Sequence, residues 1–159
     1  MSAVIQMPEI YVRPMVEQDL VSIINIEKNA YDFPWSKTIF LDCLRAGYSS
    51  WVIEDNKILI AYGIMLITSD ESHILNLCVH TDYQSIGVGK QLLGHFISLA
   101  RRQNIHRIFL EVRPTNFKAI KLYLSMGFNE VGKRRNYYPT KIGREDALIL
   151  AKTLLKEEL

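Results

Sequence analysis

Three features of this chain have residue types and spacing suited to chemistry: the turn Gln84-Ser85-Ile86-Gly87-Val88-Gly89, the carboxylate of Glu111 and the phenol of Tyr123. The turn lies between an apolar strand-like run, Ile74 to His80, and a periodic helical segment, Val88 to Arg102. A glycine-bearing turn from strand into helix leaves N–H groups unpaired at the positive end of the helix dipole, which suits an anion such as pyrophosphate. Gly87 and Gly89 lack a Cβ and so would let phosphate lie against the main chain, with Lys90 next in line. A tight strand–helix turn with no ligand would use the same residues. Two nucleotide signatures fail here. The dinucleotide motif G-x-G-x-x-G meets Leu92 at its third glycine, although Glu111 does fall about twenty residues on. The P-loop motif meets Gln84 and Gln91 where it needs glycine and Ser/Thr.

Glu111 interrupts the apolar run Ile105 to Val112, where a carboxylate buried dry would be unfavourable by several kcal/mol. Such burial raises a carboxyl pKa toward working pH and suits a general base, acting directly or through water. The structural alternative is an ion pair with Arg113 or Arg107. Tyr123 lies two helical turns after Asn116, so both project from one helix face. Its phenol, with an unperturbed pKa of about 10, can donate a proton to a leaving group; a half-buried tyrosine packed on a sheet is the alternative. Cys78 lies in an apolar strand and reads as a small packing group rather than a nucleophile.

Further residues bear on the choice. The turn fits Q/R-x-x-G-x-G/A; downstream come Leu110-Glu111-Val112-Arg113, Asn116, Ala119-Ile120, Leu122-Tyr123 and Gly127-Phe128. The chain closes with Arg134-Arg135-Asn136-Tyr137-Tyr138-Pro139 and Gly143-Arg144-Glu145-Asp146-Ala147. Together, from about Ile74 to Leu150, these resemble the GNAT acetyltransferases, and within them the ribosomal-protein-alanine N-acetyltransferases. The resemblance implies acetyl-CoA as cosubstrate and no metal. It implies a pyrophosphate held by Gln84, Ser85, Ile86, Gly87, Val88, Gly89 and Lys90. The pantetheine arm would run along Leu77, Cys78 and Val79, whose N–H groups would also stabilise an oxyanion. Asn116 would hold that arm or cap its helix, Tyr123 would reach the sulfur, and Glu111 would accept the amine proton in a ternary complex. The implied substrate is the N-terminal alanine of the eighteenth small-subunit ribosomal protein, with Tyr137 and Tyr138 walling the peptide slot. RNA contact through Arg134 and Arg135, or simple packing, are the alternatives for that loop, and nucleic acid is not the expected substrate. An α-amine, with a pKa of about 7.7–8.0, is far more often neutral at pH 7 than lysine at about 10.4, which matches a modest carboxylate base. Lysine or small-amine acetylation, or a non-catalytic module binding CoA or RNA, are the competing functions. Cys78 and the extension before Glu9 depart from the family pattern.

These residues need a framework to bring them together. The expected element order is β-α-α-β-β-β-α-β-α-β-β over a single domain, 1–159, with 1–8 a flexible tail. The first helix is expected over Val16–Tyr31, and a second, capped by Ser36, runs to Ala46 with Gly47 at its end. Strands over 50–54 and 57–68 flank a hairpin turn at Asp55-Asn56. The fold class is α/β: a mixed central sheet of about seven strands with helices on both faces. The resemblance adds that its parallel strand pair splays apart. At 159 residues and 48% hydrophobic content the chain can bury a core. No apolar run reaches the roughly 18 residues of a membrane span, and Met1–Pro8 lacks signal-peptide features. Two cysteines suggest free thiols in a reducing, cytoplasmic setting. Residues 1–72 hold 5 Lys/Arg against 10 Asp/Glu, while 101–144 hold 11 against 2. The basic block suits a phosphorylated ligand and the acidic half a cationic peptide; solvated faces are the alternative for both.

Overall fold

The computed structural model describes residues 10–154; the expected tail at 1–8 lies outside the described residues. Seven strands form one sheet in the order β1-β2-β3-β4-β5-β7-β6. In chain order, β1 is Ile10–Pro14, β2 Ser49–Asp55, β3 Ile58–Ile67, β4 Glu71–Val79, β5 Arg107–Val112, β6 Asn129–Thr140 and β7 Gly143–Thr153. The helices are α1 (Leu20–Ala30), α2 (Lys37–Arg45), α3 (Val88–Arg102) and α4 (Phe117–Ser125). The expected order and strand number are those observed.

Helices cover both faces because each presents one apolar stripe. Leu20, Ile23 and Ile26 of α1 join Phe40 and Cys43 of α2 against Val52, Leu59, Tyr62, Ile64 and Cys78. On the other face Val88, Leu92, Leu93, Phe96 and Ala100 of α3 pack with Tyr123 of α4 against Ile60, Met65, Ile108 and Leu110. Strand β3, central and covered on both sides, is buried from Leu59 to Met65, as a doubly covered strand must be.

Local chemistry moves some boundaries. The first helix is preceded by a 3₁₀ turn, Glu17–Asp19. Asp19 is drawn out of the helix by Arg13, whose nitrogens donate to it at 2.7 and 2.8 Å, and by the Val16 N–H at 2.8 Å. Ser36 caps α2 by accepting from Ile39 N, and Gly47 (φ +75°) follows its end. The β2–β3 hairpin turns one residue later than expected, at Asn56-Lys57. Both have positive φ, 49° and 68°, and Asp55 and Ile58 close the ladder; two left-handed residues match the twist of a two-residue hairpin.

Strands β4 and β5 are parallel, joined through α3. Their ladder pairs only Glu71–Ile74 with Arg107–Leu110, although β4 continues to Val79 and β5 to Val112. The pair therefore separates at mid-length. Opposite β3, Ile64 pairs with Asn76 and Met65 with Ile74, leaving Leu75 as an extra residue. A bulge bends and over-twists its strand, and this one sits where the parallel ladder ends. Beyond it, Glu111 and Val112 stay paired to Ile149 and Leu148 of β7.

Candidate active site

The divergence of β4 and β5 opens a cavity of about 980 Å³, lined by residues of α1, the α1–α2 connection, β4, β5, α4 and the β6–β7 hairpin. Leu77, Glu111, Asn116, Tyr123, Tyr137 and Tyr138 all line it. Cys78, Val79 and the turn Gln84–Lys90 do not. A second cavity of about 410 Å³ lies at the opposite end of the sheet, lined by Asp70, Glu71, His106, Arg107, Thr153 and Leu154, and holds none of the expected residues.

Along β4 the main chain is half committed. The His80 N–H donates to Ile60 O. By antiparallel alternation Cys78 exchanges its bonds with Tyr62, while Leu77 and Val79 face the gap. The Val79 carbonyl accepts from Gln84 Nε2 at 3.1 Å, and the Tyr31 hydroxyl approaches Leu77 O at 3.5 Å. The expected run of three free amides thus reduces to Leu77 and Val79, because the Cys78 amide belongs to the β3 ladder. The Cys78 thiol is buried beside Tyr62, and burial pushes it up to about 11, which fits its reading as a packing group.

Helix α3 begins after Gly87, which is left-handed (φ +92°) and caps the helix with no side-chain bond. Its first amides are therefore open to an external acceptor. Ser85 is also left-handed, at φ 64°. The two glycines differ in their reason for lacking a side chain. A Cβ at Gly87 would meet nothing within 4 Å, whereas one at Gly89 would lie 3.1 Å from Leu122 Cδ2 and 3.5 Å from Val79 Cγ2. Gly89 lets α3 close on α4 and β4, so only Gly87 has the open face first expected of both. Lys90 is exposed, and Lys118 of α4 approaches Gln84 Oε1 at 3.4 Å.

Glu111 is not a dry, isolated carboxylate. Its side chain is 26% exposed, and Oε1 accepts from Arg134 Nε at 2.6 Å. The strand alternates rather than burying both faces, with Ile108, Leu110 and Val112 inside, which turns Glu111 toward the cavity. Its partner is neither Arg113 nor Arg107. Arg113 is bound to Glu145 at 2.8 Å and to the Pro139 carbonyl at 2.9 Å, with its guanidinium 4.5 Å from the centre of the Tyr138 ring.

Tyr123 is 7% exposed and packs 5.9 Å from Phe128, centroid to centroid. Burial raises its phenol above the ordinary value, with Tyr138 and Cys78 adding to the effect. Its hydroxyl bonds to no protein group among the described residues. Asn116 caps α4, its Oδ1 accepting from Ala119 N at 3.3 Å. Tyr137 and Tyr138 stand edge to face, 4.9 Å apart, on an irregular stretch where Arg135, Asn136 and Tyr137 are inserted between the pairs Arg134–Ala147 and Tyr138–Glu145. Asn136 (φ 50°) makes this possible, its N–H donating to Asp146 at 3.0 Å.

Sequence reading passed over a second polar group in the cavity wall. Glu27 is 2% exposed; it accepts from Tyr62 Oη at 2.6 Å, Asn76 Nδ2 at 3.1 Å and Trp35 N at 2.9 Å. The signal was present: Glu27 continues the stripe Leu20, Ile23, Ile24 at the position where an apolar residue belongs, and Asn76 breaks the apolar run Ile74 to Val79.

Among the described residues no group of three or more His, Cys, Asp and Glu could hold a metal, and no helix is long and apolar enough to cross a membrane. Residues 17–128 match the acetyltransferase (GNAT) family model. The chain is 41% identical over 133 residues to the [ribosomal protein bS18]-alanine N-acetyltransferase of Escherichia coli K12, covering 84% of this chain and 90% of that one. The Haemophilus ducreyi protein of the same name is 38% identical over 88% of this chain and 97% of its own. The crystal structure of the Escherichia coli ribosomal-protein-S18-alanine N-acetyltransferase superposes with a TM-score of 0.85 at 38% identity, covering 94% and 98% of the two chains.

Proposed function

This chain belongs to the GNAT acetyltransferase family, and we propose that it transfers acetyl from acetyl-CoA to the N-terminal alanine of ribosomal protein bS18. The proposed reaction is direct amine attack in a ternary complex, in the cytoplasm. The observation that carries the reading is the early end of the β4–β5 ladder at Ile74–Leu110, with Glu111 and Tyr123 lining the cavity that opens there. The relatives named for bS18 alanine acetylation cover 84% and 88% of the chain.

The residues present fit the coenzyme. Main-chain groups of Leu77 and Val79 face the gap, the first turn of α3 has no side-chain cap, and Gly87 presents open space beside it. Bound there, acetyl-CoA supplies an acetyl group activated as a thioester. Glu111 accepts the proton of the attacking amine, and Arg134 orients its carboxylate. Tyr123, kept protonated by burial, holds the proton destined for the departing sulfur. The Leu77 and Val79 amides are aligned to stabilise negative charge developing on a carbonyl oxygen in the gap. Tyr137 and Tyr138 wall the approach of the peptide.

A thiol-release assay with acetyl-CoA tests the reading. Peptides starting with the bS18 sequence, the same peptides blocked at the N-terminus, and free polyamines are compared. Acetylation confined to the free α-amine is expected; turnover only with lysine or small amines would overturn it.

A further inference from the structure

Four carboxylates line the active-site cavity: Glu27, Asp32, Glu111 and Glu145. Three have a cation beside them, Lys141 at 4.0 Å from Asp32, Arg134 at 2.6 Å from Glu111 and Arg113 at 2.8 Å from Glu145. Glu27 has none within 4.0 Å among the described residues, and it is the most deeply buried of the four. Its three partners, Tyr62, Asn76 and the Trp35 N–H, are neutral donors. They hold both oxygens in place and solvate the charge with dipoles, but supply no counter-ion. A buried charge is retained against a large desolvation penalty only when something offsets it. Where water is excluded, its field on a neighbouring ion is strong. That field already reaches its surroundings: Tyr31, Tyr62 and Cys78 are all raised, chiefly by burial and in part by Glu27.

We infer that Glu27 is a positioning residue for the acceptor, the counter-charge that draws a protonated N-terminal amine into the cavity. This rests on the function proposed above, since an α-ammonium is the cation that reaction brings to the site. A counter-charge stabilises the ammonium and does not help remove its proton. Its effect therefore belongs to substrate binding and not to the chemical step.

The test is Glu27→Gln. Glutamine keeps an oxygen for Tyr62 and Asn76, and only the Trp35 N–H loses its acceptor. Affinities of the CoA-bound enzyme are measured for an Ala-starting peptide and for its N-terminally acetylated, uncharged counterpart, beside steady-state kcat and KM. The free-amine peptide is expected to weaken about tenfold and the neutral one to stay within about twofold, with KM rising and kcat unchanged. Equal weakening of both peptides, or a fall in kcat at unchanged KM, would show a packing role and overturn the inference. If the variant does not fold, the same two affinities are measured in Glu111→Gln, which removes the other carboxylate proposed to meet the amine. Preference for the free amine supports the inference, and equal affinity overturns it. Acetyl transfer by the wild type to the same peptide tests the function separately.

Discussion

Arg134, on the edge strand β6, reaches across β7 to donate its Nε to Glu111 of β5 at 2.6 Å. The two residues lie 23 positions apart and on non-adjacent strands, so the pair exists only through the sheet order. The arginine side chain is 57% exposed, and an ion pair so open to water contributes at most about 1 kcal/mol. Arg134→Ala should therefore leave the unfolding free energy within about 1 kcal/mol of the wild type in denaturant titrations. Glu111→Gln, by contrast, should lower kcat about 10²–10⁴-fold while leaving CoA affinity intact. A Glu111→Gln enzyme of normal turnover would remove Glu111 from the chemistry.

Tyr123 leads to a second expectation. Tyr123→Phe should lower kcat by about 10²–10⁴-fold with little change in stability, since its hydroxyl has no protein partner among the described residues to strand.

Burial raises the phenols of Tyr31, Tyr62, Tyr123 and Tyr138 above their ordinary value. In the folded state each stays protonated at a pH where the unfolded chain has lost the proton. The unfolded state then binds fewer protons, so stability falls as pH rises. Their contribution is complete below about pH 10, the unfolded value, and is lost above it. Thermal scans between pH 8 and 11 should show a melting temperature that begins to fall near pH 9, where the unfolded Cys78 thiol ionises, and drops further at the alkaline end. A melting temperature that holds through pH 11 would contradict the burial of these rings.

Gly87 and Gly89 should fail in different ways. Gly87→Ala forces an L side chain into a left-handed conformation at a strain of about 1–2 kcal/mol; it should loosen the start of α3 and weaken CoA. Gly89→Ala meets Leu122 at 3.1 Å, a clash that can be relieved by moving that side chain. Restoring stability in Gly89→Ala by Leu122→Ala, and finding no such rescue for Gly87→Ala, would distinguish strain from crowding.

Arg113 binds Glu145 and Pro139 O and lies against the Tyr138 ring, so it secures the hairpin that walls the cavity. Arg113→Lys cannot reproduce a planar guanidinium stacked and bonded at once. It should raise KM for the peptide about tenfold and change kcat by less than about threefold. Unchanged KM would mean the hairpin holds its shape without this contact.

Local rules were enough for much of the framework. Ser36 and Asn116 each cap the helix expected of them, and the stripe from Val88 to Ala100 became α3 with the bounds its periodicity suggests. Those features depend on neighbours within a few positions. The first helix shortened because Asp19 is held by Arg13 and the Val16 N–H, and the hairpin turn moved to the two residues that adopt left-handed geometry. The paired state of Glu111, the packing role of Gly89 and the buried network around Glu27 all depend on residues distant in sequence.

By itself the amino-acid order determined which groups exist and in what local setting: an uncapped helix start after Gly87, a carboxylate in an apolar strand, a tyrosine two turns beyond its helix cap. Tertiary structure alone decided which of them meet. The parallel ladder ends where Leu75 is an extra residue, segments from distant parts of the chain converge on the opening, and Arg134 rather than a sequence neighbour reaches Glu111. Strand pairing and packing join residues through space, and pairwise geometry of that kind is not written in the spacing of any one segment.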